Sequence, residues 1–264
     1  MVAFRPAATL TARLAIALMN LGEFADVQPL LAGFRAAVAR EETPMGQAFL
    51  RLLEGSYLAA RGQYEAAARV LAEAVAYAEQ TGSGQTSASA GLWLGGVLNR
   101  TGQFQQAVDV LSEALQTLGG TGFMSAAVLA QRARAYLGTG QVAEARQDAE
   151  TALAMTRRLE ARAQEGEAHL SLAMVHAASR PPDHIAAEEE FAEAERCLRE
   201  CDFRRVLAPA LQAHGEVRLE TQGAAAARPL LEEARELYAY MDRQDDVDAV
   251  DALLEGEGSG RRPT

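Results

Sequence analysis

The chain has 264 residues and a mass of 28.2 kDa, room for one extended domain or two small ones. Its apolar residues include 56 Ala and 32 Leu against 15 Val and 2 Ile, and strands need β-branched and aromatic side chains, so a β-rich or α/β fold is excluded. The net charge of −11 disfavours nucleic-acid backbones and anionic lipid, and the lack of any lysine excludes a Walker-type phosphate loop and a Schiff-base lysine.

Charge is unevenly spread. Residues 1–140 carry 10 Arg and 10 acids; residues 141–264 carry 15 Arg and 26 acids. The acidic half reads as a solvated surface or as a face for a basic partner. At the N-terminus, Arg5 and the short apolar run Leu14 to Met19 faintly echo a signal peptide, but Arg13 interrupts and no small-residue cleavage site follows. No stretch approaches the roughly 18 apolar residues of a membrane span. The expectation is a soluble, cytoplasmic chain.

From there a forty-residue period runs along the sequence. A small residue, an apolar one four later and a third three later recur as Val27/Leu31/Phe34, Ala67/Leu71/Ala74, Ala107/Leu111/Ala114, Ala145/Ala149/Ala152, Ala187/Phe191/Ala194 and Ala227/Leu231/Ala234. This spacing puts each triplet on one stripe of a helix. Gly22, Gly62, Gly102, Gly140 and Gly223 introduce five of the six; Pro181-Pro182 replaces the glycine in the fifth unit. A second amphipathic stretch precedes each turn, as in Gly91-Leu94-Gly95-Leu98. Each unit is therefore helix, tight turn, helix, with small residues where two backbones approach. The register of the first helix is open by one residue in units two and six, at Gly55 and Gly215.

The predicted units lie near residues 6–42, 45–81, 85–119, 123–160, 163–201 and 205–241. A capping helix follows over 244–254, closing a single domain of residues 1–254, with a disordered tail at 255–264. The cap has Val247, Val250, Leu253 and Leu254 at helical spacing, and it would cover the open end of the stack.

Leu94-Gly95, then Gly102-Gln103-Phe104, then Ala107, Leu111 and Ala114 resemble the tetratricopeptide repeat. The resemblance spans about residues 6–241. It implies an all-α, right-handed α-solenoid of six helix-turn-helix repeats with a C-terminal cap, forming an open arc. Units this long are similar to those of bacterial regulators and nucleotide cyclases that carry such arrays beside an effector domain. Trp93 is displaced by two from the family's tryptophan position, which Gly91 occupies here.

Catalytic patterns are poor. The four histidines, His169, His176, His184 and His214, form no His-Glu-x-x-His pair, and Cys197 and Cys201 lack a second cysteine pair. They read as packed side chains and buried thiols; Glu188-Glu189-Glu190 reads as a solvated helix face. No enzyme, cofactor or metal site is expected.

What remains is surface. The resemblance implies that the first helix of each repeat lines the concave face. Its residues off the core stripe are Phe49, Leu52 and Ser56 in repeat two, and Ser89, Leu92, Trp93, Gly96, Asn99 and Arg100 in repeat three. Repeat four offers Ala127, Gln131 and Arg134; repeat five offers Glu167, Ser171 and Met174. The lone tryptophan is either a binding anchor or an inter-helix packing residue. The expected function is a protein- or peptide-binding scaffold, with a carboxylate held by Arg100 and Arg134. The alternative is a sensory or regulatory array that controls an effector. Neither nucleic acid nor membrane is an expected partner, and a homo-oligomer is left open.

Overall fold

The computed structural model describes residues 6–41 and 43–256. Over the described residues the chain forms thirteen helices and no strand. Six antiparallel pairs follow one another: α1 (Pro6–Leu21) with α2 (Phe24–Glu41), α3 (Pro44–Ala60) with α4 (Tyr64–Gln80), and α5 (Gly84–Arg100) with α6 (Phe104–Leu118). Then come α7 (Gly122–Gly138) with α8 (Val142–Arg158), α9 (Arg162–Ala178) with α10 (His184–Glu200), and α11 (Arg204–Thr221) with α12 (Ala224–Tyr240). A single helix, α13 (Gln244–Gly256), ends the described chain, so it runs two residues past the expected cap. Residues 257–264 of the expected tail lie outside the described residues.

The local chemistry of each pair is that of its repeat. Turn glycines such as Gly62 (φ 75°) and Gly102 (φ 74°) occupy the left-handed region, which costs any other residue about 1–2 kcal/mol. In the fifth pair, where prolines replace the glycine, Asp183 caps α10 by accepting the Ala186 N–H at 3.1 Å. All the triplet residues are buried. In repeats two, three and six the middle leucine packs onto a glycine of the preceding helix. A Cβ on Gly55 would stand 2.5 Å from Leu71 Cγ, and one on Gly215 would stand 2.7 Å from Leu231 Cδ2. Gly95 sits closer still to Leu111. The three glycines therefore play one role at one register, and no shift separates repeats two and six from repeat three.

The arc is not open. The inner helices touch in a complete circuit, α1 to α3, α3 to α5, α5 to α7, α7 to α9, α9 to α11, and α11 back to α1. One apolar cluster joins the two ends of the chain: Met19, Phe24 and Leu53 share it with Phe203, Tyr238, Met241 and Val247. Polar contacts run along the same seam. Arg205 Nε donates to Asn20 Oδ1 at 2.8 Å, and Tyr240 Oη to Glu23 Oε1 at 2.6 Å. Arg61 pairs with Asp242 at 3.4 Å. The cap also does more than cover an end, since Asp246 of α13 reaches Arg100 of α5. Closure follows from apolar surface that an open arc would leave in water on both the first and the last repeat.

Candidate functional site

Closing the ring encloses a chamber of about 470 Å³ lined mainly by the inner helices, within the range of about 300–1,000 Å³ usual for ligand pockets. The inner helices α5, α7, α9 and α11 each contribute one stripe at helical spacing, while α1 adds Ile16 and Asn20 and α3 only Ala59. Leu92, Trp93, Gly96, Asn99 and Arg100 come from α5; Ala127, Gln131 and Arg134 from α7; Glu167, Leu170 and Met174 from α9. Phe123, 57% exposed, marks the mouth, and the 6% exposed Glu167 carboxyl side chain lies deep.

Several residues chosen from the sequence fall elsewhere. Phe49 packs against the cluster that joins the first and last repeats, and Leu52 belongs to the core of the middle repeats. Ser56 is fully buried and donates to the Leu52 carbonyl at 2.7 Å. Ser89 donates to the Gln85 carbonyl at 2.8 Å, and Ser171 bridges to the Ala130 carbonyl on the neighbouring inner helix, also at 2.8 Å. Packing against the end-joining cluster covers Phe49, packing against repeat three covers Leu52, and helix-to-helix hydrogen bonding takes Ser171. Of the residues that the sequence offers, Leu92, Trp93, Gly96, Asn99, Arg100, Ala127, Gln131, Arg134, Glu167 and Met174 line the chamber.

The expected pairing of Arg100 with Arg134 around a ligand also changes. Arg100 is already engaged: it binds Asp246 and lies over the Tyr64 ring at 5.7 Å. Burial pulls the Arg100 pKa down, but Tyr64, Tyr238 and Asp246 push it further up, for a net rise. Arg134 instead shares Glu167 with Arg205, a residue that the repeat pattern does not mark. Arg205 lines the chamber from α11, its guanidinium 4.6 Å from the Trp93 ring centroid and 5.1 Å from that of Phe203. Between the two arginines stands Glu167, 3.9 Å from Arg134 and 4.0 Å from Arg205, outside hydrogen-bond reach of both. Trp93 is thus both a packing residue and a chamber wall.

Arg134 is under-satisfied. Its Nε and Nη2 are buried and donate no hydrogen bond. Arg132, two residues away on the same helix, has the same side-chain exposure of 16%. It donates to Asp148 at 2.7 and 3.0 Å and to Ser112 at 3.1 Å. Burial pushes the Arg134 pKa down, with Glu167 opposing and Arg100 adding to the fall. For Arg205 burial again leads the fall, opposed by Glu167 and deepened by Arg134 and Arg243. Asn99 sits beside them, its Nδ2 donating to the Gln131 carbonyl at 2.9 Å while its buried Oδ1 accepts nothing. Arg134 Nε and Nη2 and Asn99 Oδ1 are thus buried polar atoms without a hydrogen-bond partner, on residues that line the chamber.

Outside the chamber, two histidines correct the sequence reading. His214 is buried, stacked on Phe191 with centroids 4.6 Å apart, and its Nδ1 and Nε2 lie 2.6 and 3.0 Å from Glu195 and Glu188. His169 Nδ1 lies 2.5 Å from Glu190. Glu188 and Glu190 therefore serve buried partners rather than a solvated face. His169 also converges with Glu165 and Cys197, their ligating atoms all within 4.8 Å, the one such trio among the described residues. Arg162 and Arg157 already donate to Glu165 at 2.9 and 3.3 Å, and burial pushes the Cys197 thiol up to about 11. As arranged, the trio is an ion-paired network around a neutral thiol. Cys201 is half-buried, where a fully buried thiol was expected.

No family model and no curated protein matches the sequence. Solved structures do. The chain is similar to the apo form of RapI, with a TM-score of 0.61 at 11% identity over 94% of this chain and 95% of that one. It is similar to a Podosopora anserina kinesin light chain with nearly identical TPR-like repeats (TM-score 0.53, 19% identity, 73% of this chain and 94% of that one). It is also similar to a STAND signal-transduction ATPase of Pyrococcus horikoshii with a tetratricopeptide repeat sensor (TM-score 0.54, 14% identity, 94% of this chain and 38% of that one). The fold is that of a tetratricopeptide-repeat solenoid. Among the described residues no helix is long and apolar enough to cross a membrane.

Proposed function

We propose that residues 1–254 form one non-enzymatic binding domain that takes a short segment of a protein or peptide, or a ligand of that size, into its inner chamber. The observation that carries this reading is the closed circuit of inner helices around about 470 Å³ of space walled by Trp93 and by incompletely paired polar groups. A preformed site spares the entropy of ordering a receptor, so few contacts suffice. A reducing, cytoplasmic compartment suits the two free cysteines.

One observation favours a regulatory version of the same reading. Arg205 links the chamber to the seam, touching Trp93 inside and Asn20 of the first repeat. A ligand that draws on Arg205 therefore acts on the contact that holds the ring closed, which is how a sensory array would pass a signal to an effector. The sensor role carried by the repeats of the STAND protein agrees with this version.

Filling the chamber tests the proposal. The atoms nearest a Cβ on Gly96 belong to the Gln131 side chain, at 3.7 Å, and Gly96 lines the chamber, so Gly96→Phe puts a ring into it. Wild-type protein is expected to enrich a subset of a short-peptide library read by mass spectrometry. Gly96→Phe, with unchanged circular dichroism, is expected to enrich none of that subset. Equal enrichment by both proteins places binding outside the chamber.

A further inference from the structure

We infer that Glu165, His169 and Cys197 form a zinc site that clips α9 to α10 in the fifth repeat. None of the three lines the chamber, so the site is separate from the one proposed above and stands without it.

The backbone brings the three donors together. Glu165 and His169 are one turn apart on α9 and share a face. Cys197 reaches them from α10 because the two helices approach closely at Gly166, where a Cβ would stand 3.1 Å from Cys197 Cβ and 2.8 Å from Leu198 Cγ. Imidazole nitrogen, thiolate sulfur and carboxylate oxygen are the donors zinc takes in proteins. His169 Nε2 and Glu165 Oε1 are 3.8 Å apart, and the ligating atoms of all three lie within 4.8 Å of one another. Neighbouring donors around a tetrahedral zinc stand about 3.3–3.6 Å apart, given bonds of about 2.0–2.3 Å, so small side-chain rotations complete the site. His169 and Cys197 are buried and Glu165 is partly exposed. Solvent access, and the water that fills a fourth position, therefore lie on the Glu165 side.

The partners of each donor suit the same task. His169 Nδ1 lies 2.5 Å from Glu190 Oε2, and a carboxylate oxygen accepts, so Nδ1 carries the proton. In the neutral ring Nε2 then presents its lone pair toward Glu165 and Cys197. A carboxylate behind the histidine in this way fixes the ring of a zinc ligand and makes it a better donor. Glu165 keeps Arg162 on Oε2 at 2.9 Å, while Oε1 accepts from Arg157 at the longer 3.3 Å. Arg157 Nη2 also stands 3.5 Å from His169 Nε2, so a cationic group already occupies the place an ion would take. The Arg157 side chain is 58% exposed and can turn into solvent at little cost. The ion pairs running out from the trio join the carboxylates of Glu165, Glu190, Glu193 and Glu200 to the guanidiniums of Arg157, Arg162 and Arg196. Four carboxylates face three guanidiniums, an excess of one negative charge before the thiol ionises. On binding, the Cys197 S–H bond breaks, its proton passes to solvent and a Zn–S bond forms, with no change of oxidation state.

The test is a titration of the reduced, chelator-stripped chain with cobalt(II), a coloured stand-in for zinc. One equivalent is expected to bind, giving a thiolate-to-cobalt charge-transfer band in the near ultraviolet and the intense visible bands of a four-coordinate ion. Zinc should displace it. Cys197→Ser should remove the charge-transfer band, and Cys201→Ser should leave it intact. Glu190→Gln, which keeps all three ligands, should lower zinc affinity by about 10- to 100-fold in competition with a chromophoric chelator, and His169→Gln should lower it by at least as much. Circular dichroism checks that each variant is folded. No cobalt binding, or a cobalt spectrum without the charge-transfer band, overturns the site in the wild-type protein alone, whatever the variants do. A band that survives Cys197→Ser or disappears in Cys201→Ser also overturns it, as does a zinc affinity that neither Glu190→Gln nor His169→Gln changes.

Discussion

Replacing Arg134 by methionine is expected to raise the melting temperature of the ligand-free protein, while the same change at Arg132 lowers it. The two side chains share a helix and an exposure of 16%. Arg132 forms a bidentate pair with the buried Asp148, and removing one member of such a pair strands the other, costing about 3–5 kcal/mol. Arg134 makes no hydrogen bond from Nε or Nη2, and methionine of similar length removes that desolvation cost. Glu167 loses Arg134 at 3.9 Å but keeps Arg205 at 4.0 Å, so it retains one of its two neighbouring cations. The gain should be about 1–2 kcal/mol, read by calorimetry as a rise of a few degrees. A residue that lowers stability where it stands is explained by what it binds. A fall in melting temperature for Arg134→Met would make it an ordinary structural arginine.

Truncation after Met241 is expected to destabilise the far end of the sequence. Removing α13 uncovers the partners of the buried Val247 and Val250, each worth about 1.5–3 kcal/mol, and it leaves Arg100 without Asp246. A loss of about 3–6 kcal/mol lowers the melting temperature by on the order of 10 °C, with self-association through the exposed apolar face. The location of the damage is the informative part. In an open solenoid each repeat feels only its neighbours, so α1 would be indifferent. In a closed ring α1 and α2 share a core with the last repeat, and their amides should exchange faster in the truncated protein. Unchanged exchange in α1 contradicts closure.

The repeat was legible because it is written twice, in the triplets and in the turn glycines; both carry local physics, helical spacing and left-handed backbone, that needs no knowledge of distant residues. Closure was not legible. Gly22 meeting Met241, or Asn20 meeting Arg205, depends on the accumulated rotation of six repeats, which no window of sequence contains. That one omission accounts for most of the errors at the site. It hid Arg205, it paired Arg100 with a ligand instead of with Asp246, and it left Phe49 on a surface that is covered. The glutamates at 188 and 190 show a smaller failure of the same kind. A run of acids resembles a solvated face until buried histidines from neighbouring helices are placed against it.

Collisional quenching of Trp93 tests the central claim, a solvent-reachable chamber with a net positive wall, without any ligand in hand. The protein as a whole is anionic, so at low ionic strength its surface favours caesium over iodide. If Trp93 faces the chamber beneath Arg205, iodide is predicted to be the better quencher, and the preference should shrink in Arg134→Met and with added salt. Caesium quenching Trp93 as well as or better than iodide in the wild-type protein would contradict the account.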